Sequence, residues 1–419
     1  MQVMHSELAP ISARERIEVM DVLRGFALLG ILLMNIEAFV GPVFEALGGV
    51  NPRFQGADRW VDTAIYVLVQ GKFFTLFSLL FGMGFAVMLE RANAAGAGGT
   101  ALYARRLLAL LGIGLVHAIL IWSGDILLTY ALIGFVLLLF FRRTPVSRLP
   151  KWGIALYLLP MLLTWGWAIG VTMAQQDPQA AAEMQKGMAE QGKQIAAMAE
   201  AERQAYGAGT YLQAVAQRAA DTGAMLSFIF FGGGLFLAMF LFGAWFVRSG
   251  VIRDTSAHLP LFRHLRNVGL GLGLPLMLWS TWRHPTMSFS EMNLGIALAQ
   301  SAALLANLLM CMGYFSVIVL AMQQPAWARR LHWLAPAGRM ALTNYLMQSV
   351  ICTAIFYGYG LGYFEQLPRA WQPLFVVVVF ALQVMYSRWW LSRYRYGPME
   401  WLWRWLTYRK RPAMRLAPA

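Results

Sequence analysis

Apolar runs of roughly 17 to 25 residues recur along this chain, and they constrain it more than any single motif. A helix of that length crosses a hydrocarbon core about 30 Å thick, and in lipid only helices or closed barrels leave no backbone group unpaired. The runs lie near 20 to 40, 60 to 90, 104 to 122, 125 to 141, 152 to 173, 224 to 248, 265 to 282, 292 to 322, 338 to 360 and 371 to 391. The expected fold is therefore all-α: a polytopic integral membrane helical bundle of about ten transmembrane helices. A content of 59% hydrophobic and 13% charged residues excludes an ordinary soluble domain.

Charge orients the bundle. The net charge of +14 is unevenly placed: 24 Lys and Arg fall in the N-terminal arm, alternate connections and the tail, and the opposite connections hold eight. This positive-inside pattern puts both termini in the cytoplasm and requires an even number of spans. Because the basic residues already have that role, membrane lipids are the expected surroundings and no nucleic-acid partner is expected. The arm before the first run mixes both signs (His5, Glu7, Arg14, Glu15, Arg16, Glu18) and no small-residue cleavage site follows promptly, so the run is expected to be a retained anchor.

Organisation follows from the one long connection. Residues 1-173 form an N-terminal membrane half of about five spans, 174-223 a periplasmic helical connection, and 224-419 a C-terminal half of about five spans with a basic cytoplasmic tail. The connection is rich in Ala, Gln, Glu and Met, with Asp177-Pro178 as a helix start, and is read as an amphipathic cap or a lid. No sequence repeat relates the halves. Cys311 and Cys352 lie in separate runs without ligand spacing, so neither a disulfide nor a metal site is expected.

Polar residues inside the runs are the candidates for function, since an unpaired charge at the bilayer centre costs at least about 2.5 kcal/mol. In "EVMDVLRGFALLGILLMNIEAF", Asp21, Arg24 and Asn35 share a helical stripe and Glu37 points elsewhere; Asp21 and Arg24 are spaced to pair. In "HAILIWSGDILLTYALIG", a turn at Ser123-Gly124 places His117 and Tyr130 at one depth, about 9 Å below the periplasmic mouth, with Asp125 at the mouth. A neutral imidazole there is a proton acceptor. Lys72 follows a break at Gly71 and could face an interior cavity. Asn344 and Gln348, four apart, share a face with Arg339 about one turn away, and interhelical hydrogen bonding is the plainer account of that pair.

"DVLRGFALLGILLMNIEAF", "GKFFTLFSLLFGMGFA", "HAILIWSGDILLTYALIG", "GRMALTNYLMQS" and "YGPMEWLWRWLTY" together resemble the YeiB-like family of bacterial inner-membrane proteins over nearly the whole chain. The first span is also similar, more distantly, to the transmembrane acyltransferases, including the acyltransferase-3 proteins and the heparan glucosaminide N-acetyltransferase. Asn35 stands where acyltransferase-3 proteins carry a histidine. The resemblance implies an acyltransferase using cytoplasmic acyl-CoA as donor and no metal, with an acceptor at the periplasmic side.

Under that reading His117 replaces the missing base, Asp125 orients it, and Asn35, Tyr130 or Lys72 donate to the oxyanion. Arg24, Arg105 and Arg106 would hold the CoA phosphates, with Asp21, Asn344 and Gln348 completing the polar lining. The alternatives are a proton-coupled transporter and a non-catalytic membrane partner whose polar residues join helices. A homodimer is an expected assembly.

Overall fold

The computed structural model describes residues 17–94, 99–286 and 291–416. The charged arm from His5 to Arg16 lies outside them. The described residues form sixteen α-helices with short π and 3-10 turns, and their only bridges are isolated pairs, Gly49 with Thr286 and Tyr394 with Arg415.

In chain order the first half contains α1 (Glu18–Val40), α2 (Val43–Ala46), α3 (Gly56–Leu68), α4 (Lys72–Ala94), α5 (Gly99–Leu120), α6 (Leu127–Val136) and α7 (Leu149–Ala174). The long connection supplies α8 (Pro178–Glu202), capped as expected by Asp177, whose side chain accepts from the Gln179 amide, and a π turn Arg203–Ala208. Then follow α9 (Tyr211–Arg248), α10 (Leu259–Arg283), α11 (Leu294–Met322), α12 (Pro325–Leu331), α13 (Ala335–Arg339), α14 (Ala341–Phe356), α15 (Gln372–Leu391) and α16 (Pro398–Tyr408).

A helix occupies each of the ten expected intervals, but length and apolarity support fewer spans. Among the described residues six helices are long and apolar enough to cross a membrane, and α9 makes a seventh if its two segments, bent by 73°, are one span. The reasons are local. The helix Leu127–Phe141 and α14 have 15 and 16 residues, about 22 to 24 Å at 1.5 Å per residue. α10 carries Arg263, His264, Arg266 and Arg283, which lower its hydropathy. The expected boundary at residue 223 falls inside α9, in its first segment, Tyr211–Ser227.

Burial separates the roles of the spans. α1 sits at the centre, against α4, α11, α13, α14 and α15, and two thirds of its apolar window is buried (67%). α7 has only 17% of its window buried and turns Leu158, Leu162, Leu163 and Trp167 outward, the pattern of a lipid-facing helix. Close approach depends on glycine: a Cβ at Gly338 of α13 would lie 1.9 Å from the Asp21 carbonyl of α1, and one at Gly82 of α4 would lie 2.1 Å from the Phe240 carbonyl of α9.

Candidate functional site

The first site is a cavity of about 280 Å³ between α1, α4, α5, α14 and α16. Asp21 and Arg24 reach it from α1, Arg91 from α4, Tyr103 and Arg106 from α5, Arg339 from α13 and Arg404 from α16, while Leu127, Tyr130 and Tyr345 form its inner end. Five arginines thus surround a chamber whose other lining is largely apolar.

The expected Asp21–Arg24 pair is present at 2.9 Å, both residues on the cavity wall. Arg106 is held differently. Its guanidinium lies 3.5 Å over the Trp403 ring, and Trp403 Nε1 donates to the Arg106 carbonyl at 2.9 Å, so α16 fixes the arginine from below. α16 is itself fixed by Glu400. One carboxylate oxygen accepts from the Leu342 and Thr343 amides (2.7 and 3.1 Å) and the other from Thr343 Oγ1 (2.6 Å), satisfying the free donors at the start of α14. Burial pushes the Glu400 carboxyl above its usual range, against the pull of these hydrogen bonds.

The second site is a buried dyad. His117 Nδ1 and Asp125 Oδ1 are 2.7 Å apart, and both side chains are 1% exposed. Asp125 Oδ2 accepts from the Leu128 amide at 2.6 Å, which locks the carboxylate at the start of α6. The Asp125 carboxylate accepts the hydrogen bond from Nδ1–H, and the other ring nitrogen, Nε2, is buried with no hydrogen-bond partner. Tyr345 connects the two sites: its ring centroid is 5.3 Å from that of His117, its hydroxyl accepts from the Ile126 amide at 3.2 Å, and it also lines the cavity.

Several expectations change. Asp125 is folded back into the bundle and is not at an open mouth, because the turn from Ile121 to Ile126 lets its carboxylate reach both His117 and the start of α6. Tyr130 is not part of the dyad; its hydroxyl lies 2.8 Å from Ser78 Oγ and donates to the Phe74 carbonyl at 3.2 Å. Lys72 does not face the cavity. Its Nζ donates to the carbonyls of Tyr66 and Gln70, both at 2.9 Å, closing the end of α3 across the sharp turn at Gly71 (φ 82°). Asn35 is half-buried on α1 and outside the cavity lining.

Arg105 turns to the Ala101 carbonyl and leaves the cavity to Arg106. Asn344 donates to the Ala337 carbonyl and Ser387 Oγ, and Gln348 donates to Gln383, which returns a bond to the Asn344 carbonyl. That is interhelical bonding, joining α14 to α13 and α15. Cys311 and Cys352 are free and buried.

Sequence reasoning missed a third polar cluster. Arg369 donates from Nε to Asp62 at 2.9 Å, pairs through Nη2 with Glu37 at 2.9 Å, and reaches Gln372 at 2.6 Å. Its members come from three distant segments, so no spacing reveals it. It also missed Tyr345 and Trp403, whose only local signal is their place inside two of the quoted motifs.

An arginine-lined chamber beside a buried His–Asp dyad, in an all-helical bundle with six to seven apolar spans, defines a polytopic membrane protein with intramembrane polar sites. Residues 246–410 match the family described as "Protein of unknown function (DUF418)". Over 418 residues the chain is 35% identical to the "Uncharacterized protein YxaH" of Bacillus subtilis (strain 168), covering 96% of this chain and 97% of that one. Over 413 residues it is 33% identical to the "Uncharacterized protein YeiB" of Escherichia coli (strain K12), covering 94% and 97%. The chain belongs to this YeiB-like family. No solved structure matches it.

Proposed function

We propose that this chain is a membrane acyltransferase of the bacterial inner membrane, taking an acyl group from cytoplasmic acyl-CoA to an acceptor at the periplasmic side. The observation that carries the reading is the cavity itself: five arginines at one end, an apolar interior, and a far wall, Tyr345, that packs against the only His–Asp pair among the described residues that is buried on both sides. A donor with phosphates at one end and an apolar arm at the other matches that polarity.

The size fits the arm and not the whole donor. At about 280 Å³ the chamber is near the lower edge of small-molecule pockets, roughly 300 to 1,000 Å³, so the nucleotide would rest at the entrance among Arg24, Arg106, Arg339 and Arg404. Arg106 and His117 lie on one helix, eleven residues and about 16 Å apart. An extended arm entering beside Arg106 would therefore bring its thioester towards the dyad. His117 Nε2 would take the proton of the acceptor, with Asp125 holding the tautomer and stabilising the imidazolium. The orientation rests on the positive-inside pattern, which makes the arginine end cytoplasmic.

Heat released on titrating acetyl-CoA into the purified protein, against a CoA-only control and with Arg24→Ala in parallel, tests the reading. Binding that weakens in the variant supports it. No binding of acetyl-CoA or of longer acyl-CoAs overturns it. A transport reading draws on a different observation, the Glu37–Arg369–Asp62 cluster buried between spans. Flux of a substrate into proteoliposomes without donor and without covalent change would favour transport. Lipids are the surroundings on either reading, a second copy of the chain is a proposed partner, and nucleic acid is not.

A further inference from the structure

A second pair of acids lies under the α8 cap. Glu202, the last residue of α8, and Asp221 of α9 are 0% and 2% exposed, and neither forms an ion pair with Lys or Arg among the described residues. The charged groups on the elements around them are engaged elsewhere. From α9, Arg218 directs Nε to the Ala214 carbonyl and Nη1 to the carbonyls of Leu120 and Ile121, closing the end of α5. From α2, Glu45 is paired with Arg53 and Arg203, and the Phe44 amide donates to Glu202 Oε2 at 3.4 Å. α7 carries only Lys151 and Tyr157 as ionisable groups, both in its first half.

Glu202 and Asp221 are side-chain hydrogen-bonding neighbours, burial raises both carboxyls, and two such carboxylates cannot both be ionised. Asp221 has the donors that favour charge: Tyr206 hydroxyl on Oδ2 and Gln217 Nε2 on Oδ1, the latter at 2.8 Å. Glu202 is less well served: Oε2 accepts from the Phe44 amide at 3.4 Å with the Val43 amide beside it, and Oε1 has no hydrogen-bond donor. Two further buried polar atoms, Arg218 Nη2 and Tyr357 hydroxyl, have no partner. Tyr357 stacks on Tyr206 at 4.7 Å and lies 6.0 Å beneath the Arg218 guanidinium, so both unmatched atoms border the same cluster. Tyr206 hydroxyl lies 3.5 Å from Ser123 Oγ, in the turn that carries Asp125.

We propose that Glu202 and Asp221 form a proton-holding site, one proton resting on Glu202, with the Tyr206 and Ser123 hydroxyls as its conduit towards the turn of the His117–Asp125 dyad. Discharge is a chain of hydroxyl exchanges. Glu202 gives its proton to Asp221, Asp221 passes one to Tyr206 as Tyr206 passes its own to Ser123, Ser123 releases its own to a water or hydroxide reaching the turn, and Glu202 is left as the carboxylate. The site serves acyl transfer or transport equally and does not depend on the choice between them.

Burial and the Asp221 charge push Glu202 up to about 9, from an ordinary 4.5. Because the folded value lies above the unfolded one, the contribution of this group to stability is complete below about 4.5 and is lost as pH rises towards about 9.

Infrared difference spectra of the full chain in detergent, titrated from neutral pH to above about 9, test the site in wild type, Glu202→Gln, Asp221→Asn and Tyr206→Phe. The expected result is a protonated-carboxyl band at neutral pH with a component that titrates away in wild type and is missing in Glu202→Gln, whose amide mimics the neutral acid and keeps the fold. Asp221→Asn should keep the band but titrate at lower pH, since the neighbouring charge is gone. Tyr206→Phe should release the proton more slowly after an alkaline jump. A neutral-pH band as strong in Glu202→Gln as in wild type overturns the site; an unchanged midpoint in Asp221→Asn overturns the sharing; an unchanged release rate in Tyr206→Phe overturns the conduit.

Discussion

The two ends of α5 treat intramembrane polarity in opposite ways. At one end Arg106 faces a chamber, and its position is set by stacking on Trp403 with its guanidinium edge left to the cavity. At the other, His117 is sealed, with Asp125 on one nitrogen and nothing on the other. The first arrangement turns cationic groups to an open chamber, and the second holds an unpartnered ring nitrogen away from water. A single polar pair in a helix is explained by packing; two unlike arrangements joined by Tyr345 are better explained by a path between them.

The largest effect is expected at the sealed end. If His117 is the base, His117→Ala lowers acyl transfer by about 10²- to 10⁴-fold while acyl-CoA still binds. Transfer rates and calorimetry on the same preparation check this, and equal loss of binding and rate would remove the division of labour between the ends. Asp125→Asn should slow transfer less than His117→Ala, because it disturbs the tautomer but leaves the ring.

Next comes a cluster belonging to neither end. Arg369→Ala leaves Glu37 and Asp62 buried without their cation, and the expected loss of stability is about 3 to 5 kcal/mol. It should be visible in thermal unfolding and in the yield of folded protein. If stability is normal and transport or transfer is lost, the cluster acts in function and the comparison must be drawn again with three sites.

A smaller effect is expected at the open end. Arg106→Ala removes a charge-assisted contact worth about 1.5 to 3 kcal/mol, or roughly 10- to 100-fold in acyl-CoA affinity, with the rate at saturating donor little changed. Trp403→Ala should weaken binding by less, because the charge remains and only its positioning is lost. Unchanged affinity in both variants would separate the arginines from the donor.

How far the sequence shows this depends on whether a contact is local. The Asp21–Arg24 pair, the Asp177 cap and the Ser123-Gly124 turn are within a few residues, so helix geometry alone predicts them. The His117–Asp125 pair was visible as neighbours, but its burial was not, because only the turn's path decides whether Asp125 points out or folds back. Lys72 misled for a similar reason: the Gly71 break was legible, yet the lysine turns to the carbonyls that the break exposes. Arg369 and Trp403 act through partners 297 to 332 residues away, and no periodicity encodes such pairings. The arginine chamber was half legible, since Arg24 and Arg106 were named on charge and position while Arg91, Arg404 and the α16 wall require the fold.

The smallest effect sharpens the boundary of the site. Asn344 and Gln348 lie on α14, the helix that brings Tyr345 between the two ends, yet their hydrogen bonds run to Ala337, Ser387 and Gln383 on the side away from the cavity. Interhelical bonds in membranes average about 0.6 kcal/mol, so Gln348→Leu, close in volume, should change stability by about that amount and leave donor affinity unchanged. Asn344→Ala should cost somewhat more, because Ser387 and the Ala337 carbonyl both lose a donor. A large fall in transfer rate with normal folding in either variant would mean that α14 carries polarity into the path on both faces, and Tyr345 would then be one wall residue among several. If both variants are nearly silent, the path is confined to the face of α14 that presents Tyr345, and the contrast between the open and sealed ends of α5 stands as drawn.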